Sequence, residues 1–229
     1  PVRARRGRGR QLRRVGPGRL HRHGLLAATE QCHAPYDMCM SQLDPDGRTA
    51  RSSPLDAIAA GDDAVERKEA VRRAVRRARG AEPKARRLAA DEARAARALA
   101  LVHELLAPGS AIACYLSTGE EPGTLGLVEA LRARGHRVLA PVLGGLPDGR
   151  PRHDVAWAWY EGPEALAPGL WSIPDPTGEA LPARALAQAD LVLVPALGVG
   201  LDGSRVGTGG GWYDRALRHV RPGTPCWAL

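Results

Sequence analysis

The chain has 229 residues, 44% of them hydrophobic, with a formal net charge of +8 and no phenylalanine. That length and apolar share allow one substantial core; no run approaches a membrane span, and the N-terminus lacks the apolar stretch of a signal peptide. Four cysteines, Cys32, Cys39, Cys114 and Cys226, fall at no disulfide-framework spacing, so a reducing, cytoplasmic setting is expected.

The charge is unevenly placed. Residues 1–28 carry nine arginines and no acid, which leaves the rest of the chain close to neutral. Residues 1–61 hold no lasting helical or strand period and are expected to be a disordered Arg-rich extension. Arg/Gly runs follow phosphates, so an RNA-binding arm is the alternative, but no aromatics interleave to stack on bases. Cys32, His33 and Cys39 match no common zinc spacing.

Order begins near Asp62, and residues 62–229 read as one domain. Asp62 and Asp63 suit a helix cap, with Glu66 placed as in a capping box. The helix over 65–81 sets Val65, Val71, Ala74, Val75 and Ala78 on one side and Lys68, Arg72, Arg76 and Arg79 in a basic row. On its own that row is a solvated face. Pro83 interrupts, and an alanine-rich helix follows over 84–106, ended by Pro108-Gly109. Strands and helices then alternate: strand 111–116, helix 124–133, strand 137–143, strand 155–160, strand 191–194, helix 212–220 and strand 224–229. The alternation predicts an α/β fold, a mainly parallel sheet with helices on both faces. Cys114, inside the first strand, reads as a small buried hydrophobe.

Chemistry concentrates in Arg205-Val206-Gly207-Thr208-Gly209-Gly210-Gly211-Trp212-Tyr213-Asp214-Arg215, directly after the apolar strand Leu191–Val194 and Pro195. Such a loop exposes backbone N–H groups at the start of a helix, an arrangement that binds phosphate. It is not a Walker A loop, because no Gly-Lys-Ser/Thr follows the glycines, and Trp212 breaks the dinucleotide fingerprint. The flanking arginines and the acid following the glycines suit a magnesium–nucleotide complex rather than a bare surface turn.

These residues resemble the hallmark of the 5-formyltetrahydrofolate cyclo-ligases, Arg-Leu-Gly-x-Gly-Gly-Gly-Tyr-Tyr-Asp-Arg after a strand ending in proline. Here Val206 replaces the leucine and Trp212 the first tyrosine. The resemblance extends over about residues 66–229. Lys68 to Arg72 match a Lys-x-x-x-Arg helix, and Arg79 matches a further basic position. Cys114-Tyr115-Leu116 and Glu120-Glu121-Pro122 match a strand and its substrate-binding loop. Trp157 matches an aromatic of the third strand region, and Asp175-Pro176 stands where Glu-Pro is usual.

The resemblance implies conversion of 5-formyltetrahydrofolate to 5,10-methenyltetrahydrofolate with ATP and Mg2+; separately, a monomer is expected. It places Lys68, Arg72, Arg205, Gly207, Gly209, Gly210, Gly211, Trp212, Tyr213 and Arg215 on the nucleotide. Glu121, Trp157 and Tyr213 fall on the folate, Asp214 on the metal, and Arg205 and Tyr213 at the reacting centre. Two departures are visible, Gly200 in place of an aspartate and Thr208 in place of a larger residue. The family also continues beyond the strand that ends here at Leu229, so a truncated C-terminus is expected. The alternative is an inactive or weakly active nucleotide- or folate-binding relative.

Overall fold

The computed structural model describes residues 64–146, 150 and 152–229. The Arg-rich extension, the Cys32–His33–Cys39 group and the Asp62–Asp63 cap lie outside the described residues.

Two helices come first, α1 (Ala64–Ala81) and α2 (Lys84–Leu105). Pro83 separates them, since it removes a backbone donor and biases Glu82 away from helical backbone. Of α1 only Val71 is buried, whereas α2 sinks Ala98 and Val102 into the core. Strand β1 (Ala111–Cys114), helix α3 (Leu125–Ala133) and strand β2 (Arg137–Val142) then form a parallel crossover unit, with Ala111 opposite Arg137. Helix α3 turns Leu127, Val128 and Leu131 inward. It ends where the His136 N–H reaches back to Leu131 O (3.1 Å), with Gly135 at φ +83, a left-handed exit that suits glycine.

Strand β3 (Ala156–Trp159) pairs antiparallel with β2, Val142 opposite Ala156. The chain next folds β4 (Leu166–Pro168) against β5 (Pro174–Pro176) as a small ribbon and lays β6 (Leu181–Pro182) beside β3. Strand β7 (Leu191–Val194) returns to the middle of the sheet. It is followed by the hairpin of β8 (Gly198–Val199) and β9 (Arg205–Val206), helix α4 (Trp212–Ala216) and strand β10 (Cys226–Ala228). The main sheet has the order β10-β7-β1-β2-β3-β6, parallel from β10 to β2 and antiparallel at β3 and β6.

Strand alternation divides the core between the two faces. Ile112, Cys114, Val138, Leu191 and Leu193 meet α2 and α3 on one face. Ala113, Leu139, Val192, Val194 and Trp157 meet Leu186 and Ala216 on the other. The expected mainly parallel, doubly covered sheet is therefore present. Three local differences stand out. The strand at 155–160 runs against its neighbour, and the Pro/Gly-rich stretch before β7 holds three short strands. The helix expected over 212–220 stops as α-helix at Ala216 and tightens into a 3-10 turn at Leu217–His219.

Candidate functional site

Because β7, β1 and β2 run parallel, their carboxyl ends open on the same edge of the sheet, the usual place for ligands in such folds. The loops there enclose a cavity of about 660 Å3. It is lined by the glycine loop, Lys68 and Arg72 of α1, Glu121 after β1 and residues 152–154 ahead of β3.

The glycine loop carries backbone that only glycine adopts without strain. Gly209 has φ +108, and Gly211 has φ +66 immediately before α4. Among the described residues, the N–H groups of Thr208 to Gly211 donate to no protein acceptor. Helix α4 has only five residues, so its dipole is small. The positive potential comes instead from these open amides and from the arginines around them.

Those arginines are held in place by the loop itself. Arg72, with a side chain 15% exposed, donates from Nε to Gly207 O (3.0 Å) and pairs with Glu69 one helical turn earlier. Arg76 donates to Thr208 O (3.3 Å), and Arg79 to Ala196 O (2.8 Å). Arg205 donates to Pro195 O (3.2 Å) and forms an ion pair with Asp214 (2.7 Å). The basic row of α1 is therefore a clamp on the loop, not only a solvated face. Lys68 and Arg215 line the same cavity.

Asp214 is half exposed, and among the described residues no three His, Cys, Asp or Glu gather to hold a metal. A magnesium ion needs only one or two carboxylates when phosphate oxygens and water complete its shell. A single carboxylate beside a loop of open amides, here Asp214 held by Arg205, fits that requirement.

The wall opposite the loop follows β1. Glu121 accepts the Thr118 N–H on Oε2 (3.1 Å), Tyr115 Oη donates to Pro122 O (2.9 Å), and Asp91 of α2 accepts the Gly123 N–H (2.9 Å). Thr118 Oγ1 donates to Ser172 O (3.1 Å), joining this loop to the segment ahead of β5. In that segment Trp171 and Ser172 take left-handed backbone, φ +55 and φ +63, and Trp171 is 74% exposed at the cavity. Positive φ strains both residues, and strain of this kind gathers at ligand sites. Trp171 is not marked as a site residue by any motif in the sequence. Its one signal was a tryptophan in a stretch without strand or helix period.

Tyr213 and Trp212 form the floor. Their rings meet edge to face at 4.9 Å, and the Arg205 guanidinium stands 5.7 Å from the Tyr213 ring. The Tyr213 hydroxyl is buried without a protein partner, and burial pushes its ionisation well above the ordinary 10.0. Trp157, expected in the pocket, does not line it. Strand alternation turns it into the core, fully buried, where it supports Trp212 from behind at 5.0 Å. At Gly200, where an aspartate was expected, the carboxylate of Asp202 folds into the space a side chain would take.

Residues 64–226 match the 5-formyltetrahydrofolate cyclo-ligase family. Over 112 residues the chain is 38% identical to a 5-formyltetrahydrofolate cyclo-ligase of Mycolicibacterium smegmatis, covering 49% of this chain and 57% of that protein. The chain thus spans little more than half the length of that relative. Its fold is similar to the NMR structure of 5,10-methenyltetrahydrofolate synthetase from Aquifex aeolicus. The TM-score is 0.52 at 22% identity, over 67% of this chain and 73% of that one. For a 5,10-methenyltetrahydrofolate synthetase from Mycoplasma pneumoniae the TM-score is 0.49 at 20% identity, over 67% and 78% of the two chains. The family match runs from α1 through the glycine loop to the start of β10, over every wall of the cavity, and the chain belongs to the 5-formyltetrahydrofolate cyclo-ligase family.

Proposed function

We propose that the protein converts 5-formyltetrahydrofolate to 5,10-methenyltetrahydrofolate while ATP becomes ADP and phosphate. The observation that carries this reading is the convergence, on one cavity, of open loop amides, clamped arginines and the Glu121 carboxylate.

In this reading Lys68, Arg72, Arg205 and Arg215 hold the phosphate chain with the Gly207–Gly211 loop, and Trp212 closes the base of that loop. Asp214 holds magnesium, which when bound neutralises charge on the phosphate oxygens. Glu121 accepts the ring N–H groups of the pterin through the oxygen that Thr118 leaves open. Tyr213 and Trp171 flank the flat ring, with Trp157 behind the floor. The formyl oxygen attacks the terminal phosphorus, and ADP leaves. N10 then attacks the formyl carbon, the carbon–oxygen bond breaks and phosphate departs with its electrons. The N10 proton passes to phosphate or solvent. Arg205 neutralises the oxygens on which charge develops, and Tyr213, kept protonated by burial, donates a hydrogen bond to one of them.

Purified protein given Mg-ATP and 5-formyltetrahydrofolate is expected to gain the near-ultraviolet absorbance of the methenyl product, with one ADP released per turnover. Folded protein that yields neither refutes the reading. ATP or folate binding by calorimetry without product identifies a binding relative instead.

A further inference from the structure

We infer that Arg152 forms a separate subsite at the β2 end of the cavity, one that takes a carboxylate from the glutamate tail of the folate. This inference rests on the folate reading above and adds to it a determinant of substrate choice.

Arg152 lines the cavity, yet it is not among the cations gathered at the glycine loop. It is held by the backbone that leaves β2. Its Nε donates to Gly144 O (3.2 Å). That backbone is fixed in turn by Asp175 of β5, whose two oxygens accept the N–H groups of Leu143 (2.7 Å) and Gly144 (2.9 Å). A carboxylate from one strand thus steadies the carbonyl on which the guanidinium rests. The Nε bond uses one edge of the group, and among the described residues the terminal nitrogens meet no carboxylate. A half-buried guanidinium with its fork open suits a bidentate carboxylate ligand.

Sheet order places this fork correctly for a long ligand. The glycine loop belongs to the β7 side, Glu121 follows β1, and Gly144 follows β2, three adjacent strands. At about 4.8 Å per strand, the end of β2 stands roughly 10 Å along the crevice from the end of β7. The cavity therefore presents the glycine loop and its arginines at one end, the Glu121 carboxylate in the middle and, at the other, the Arg152 guanidinium with His153 and Asp154 next to it along the chain. The substrate carries its formyl-bearing ring at one end and two carboxylates at the other. Laid along the crevice with its formyl group toward the loop, it brings its tail to Arg152.

The test compares 5-formyltetrahydrofolate with the N-methylamide of 5-formyltetrahydropteroate, the same ring system with neither the glutamate nor any other carboxylate, on wild type, Arg152→Ala and Arg152→Lys. Losing one charge-assisted pair is expected to raise the KM of Arg152→Ala for the glutamate-bearing substrate about tenfold, with kcat within about twofold. Its KM for the tail-less substrate is expected to change less than about twofold, and Arg152→Lys to fall between because a point charge lacks the fork. If Arg152 serves only to steady the 143–144 backbone, both substrates lose equally, and that result overturns the subsite. Unchanged KM for both substrates overturns it too. Failure of the folate reading looks different: wild type itself neither binds nor turns over either compound, and both conclusions fall together.

Discussion

Glu121 divides one carboxylate between two tasks. One oxygen accepts the Thr118 N–H and fixes the loop, and the residue lines the cavity where a ring N–H would sit. Glu121→Gln keeps an acceptor for Thr118 but removes the charge. Hydrogen bonds to charged groups contribute about 1.5–3 kcal/mol, so we expect KM for 5-formyltetrahydrofolate to rise about ten- to hundredfold, with KM for ATP nearly unchanged. Steady-state kinetics with each substrate varied in turn checks this, and an equal rise in both constants contradicts it. At this scale the sequence was readable where site residues are neighbours along the chain. Arg205 to Arg215 stand together because one loop carries them. Arg152 and Trp171 were not readable, since only the topology brings them to the same cavity as the loop. Trp157 falls on the folate only through the family resemblance; by itself a tryptophan in an apolar strand reads as core, and that is where alternation turns it.

Helix α1 buries a single side chain, Val71, and is otherwise fastened by guanidinium groups. Arg72, Arg76 and Arg79 reach Gly207, Thr208 and Ala196 respectively, so one helical face spans both the glycine loop and the end of the segment after β7. Arg79→Ala removes the shortest of these contacts, one made to Ala196 rather than to the glycine loop. We expect a rise in KM for ATP of about tenfold, the lower end of the about 1.5–3 kcal/mol that a hydrogen bond to a charged group contributes. Amide exchange over 207–211 should also quicken, read by mass spectrometry of the unliganded protein. An unchanged exchange rate there contradicts the clamp. The basic row was legible as a periodic pattern, and Pro83 marked the helix break. The direction of β3 was not legible, because Ala156 to Trp159 would alternate identically in either orientation. The early end of α4 was equally hidden, as the next turn keeps helical composition while tightening its hydrogen bonds.

Across the molecule, burial holds Cys114, Tyr115 and Tyr213 in their neutral forms and pushes all three ionisations upward. In the unfolded chain they ionise near their ordinary values, 9.0 for the thiol and 10.0 for the phenols. Folded values above unfolded ones mean that this stabilisation is complete below about pH 9 and is lost as pH rises further. We expect the melting temperature to fall by about 5 °C or more between pH 9 and 11, with Tyr213→Phe reducing the slope. Circular dichroism melts across that range measure it, and a flat profile contradicts it. The reversal of direction between β2 and β3 has an effect of another kind. The segment from Leu143 to Val155 leaves and re-enters the sheet at neighbouring positions, Val142 beside Ala156. Its length can therefore change without moving any other strand, and each doubling of such a loop costs only about 0.6 kcal/mol. The wall that carries Arg152 can be lengthened or shortened without disturbing the wall made by the glycine loop, so the two ends of the cavity can be altered independently.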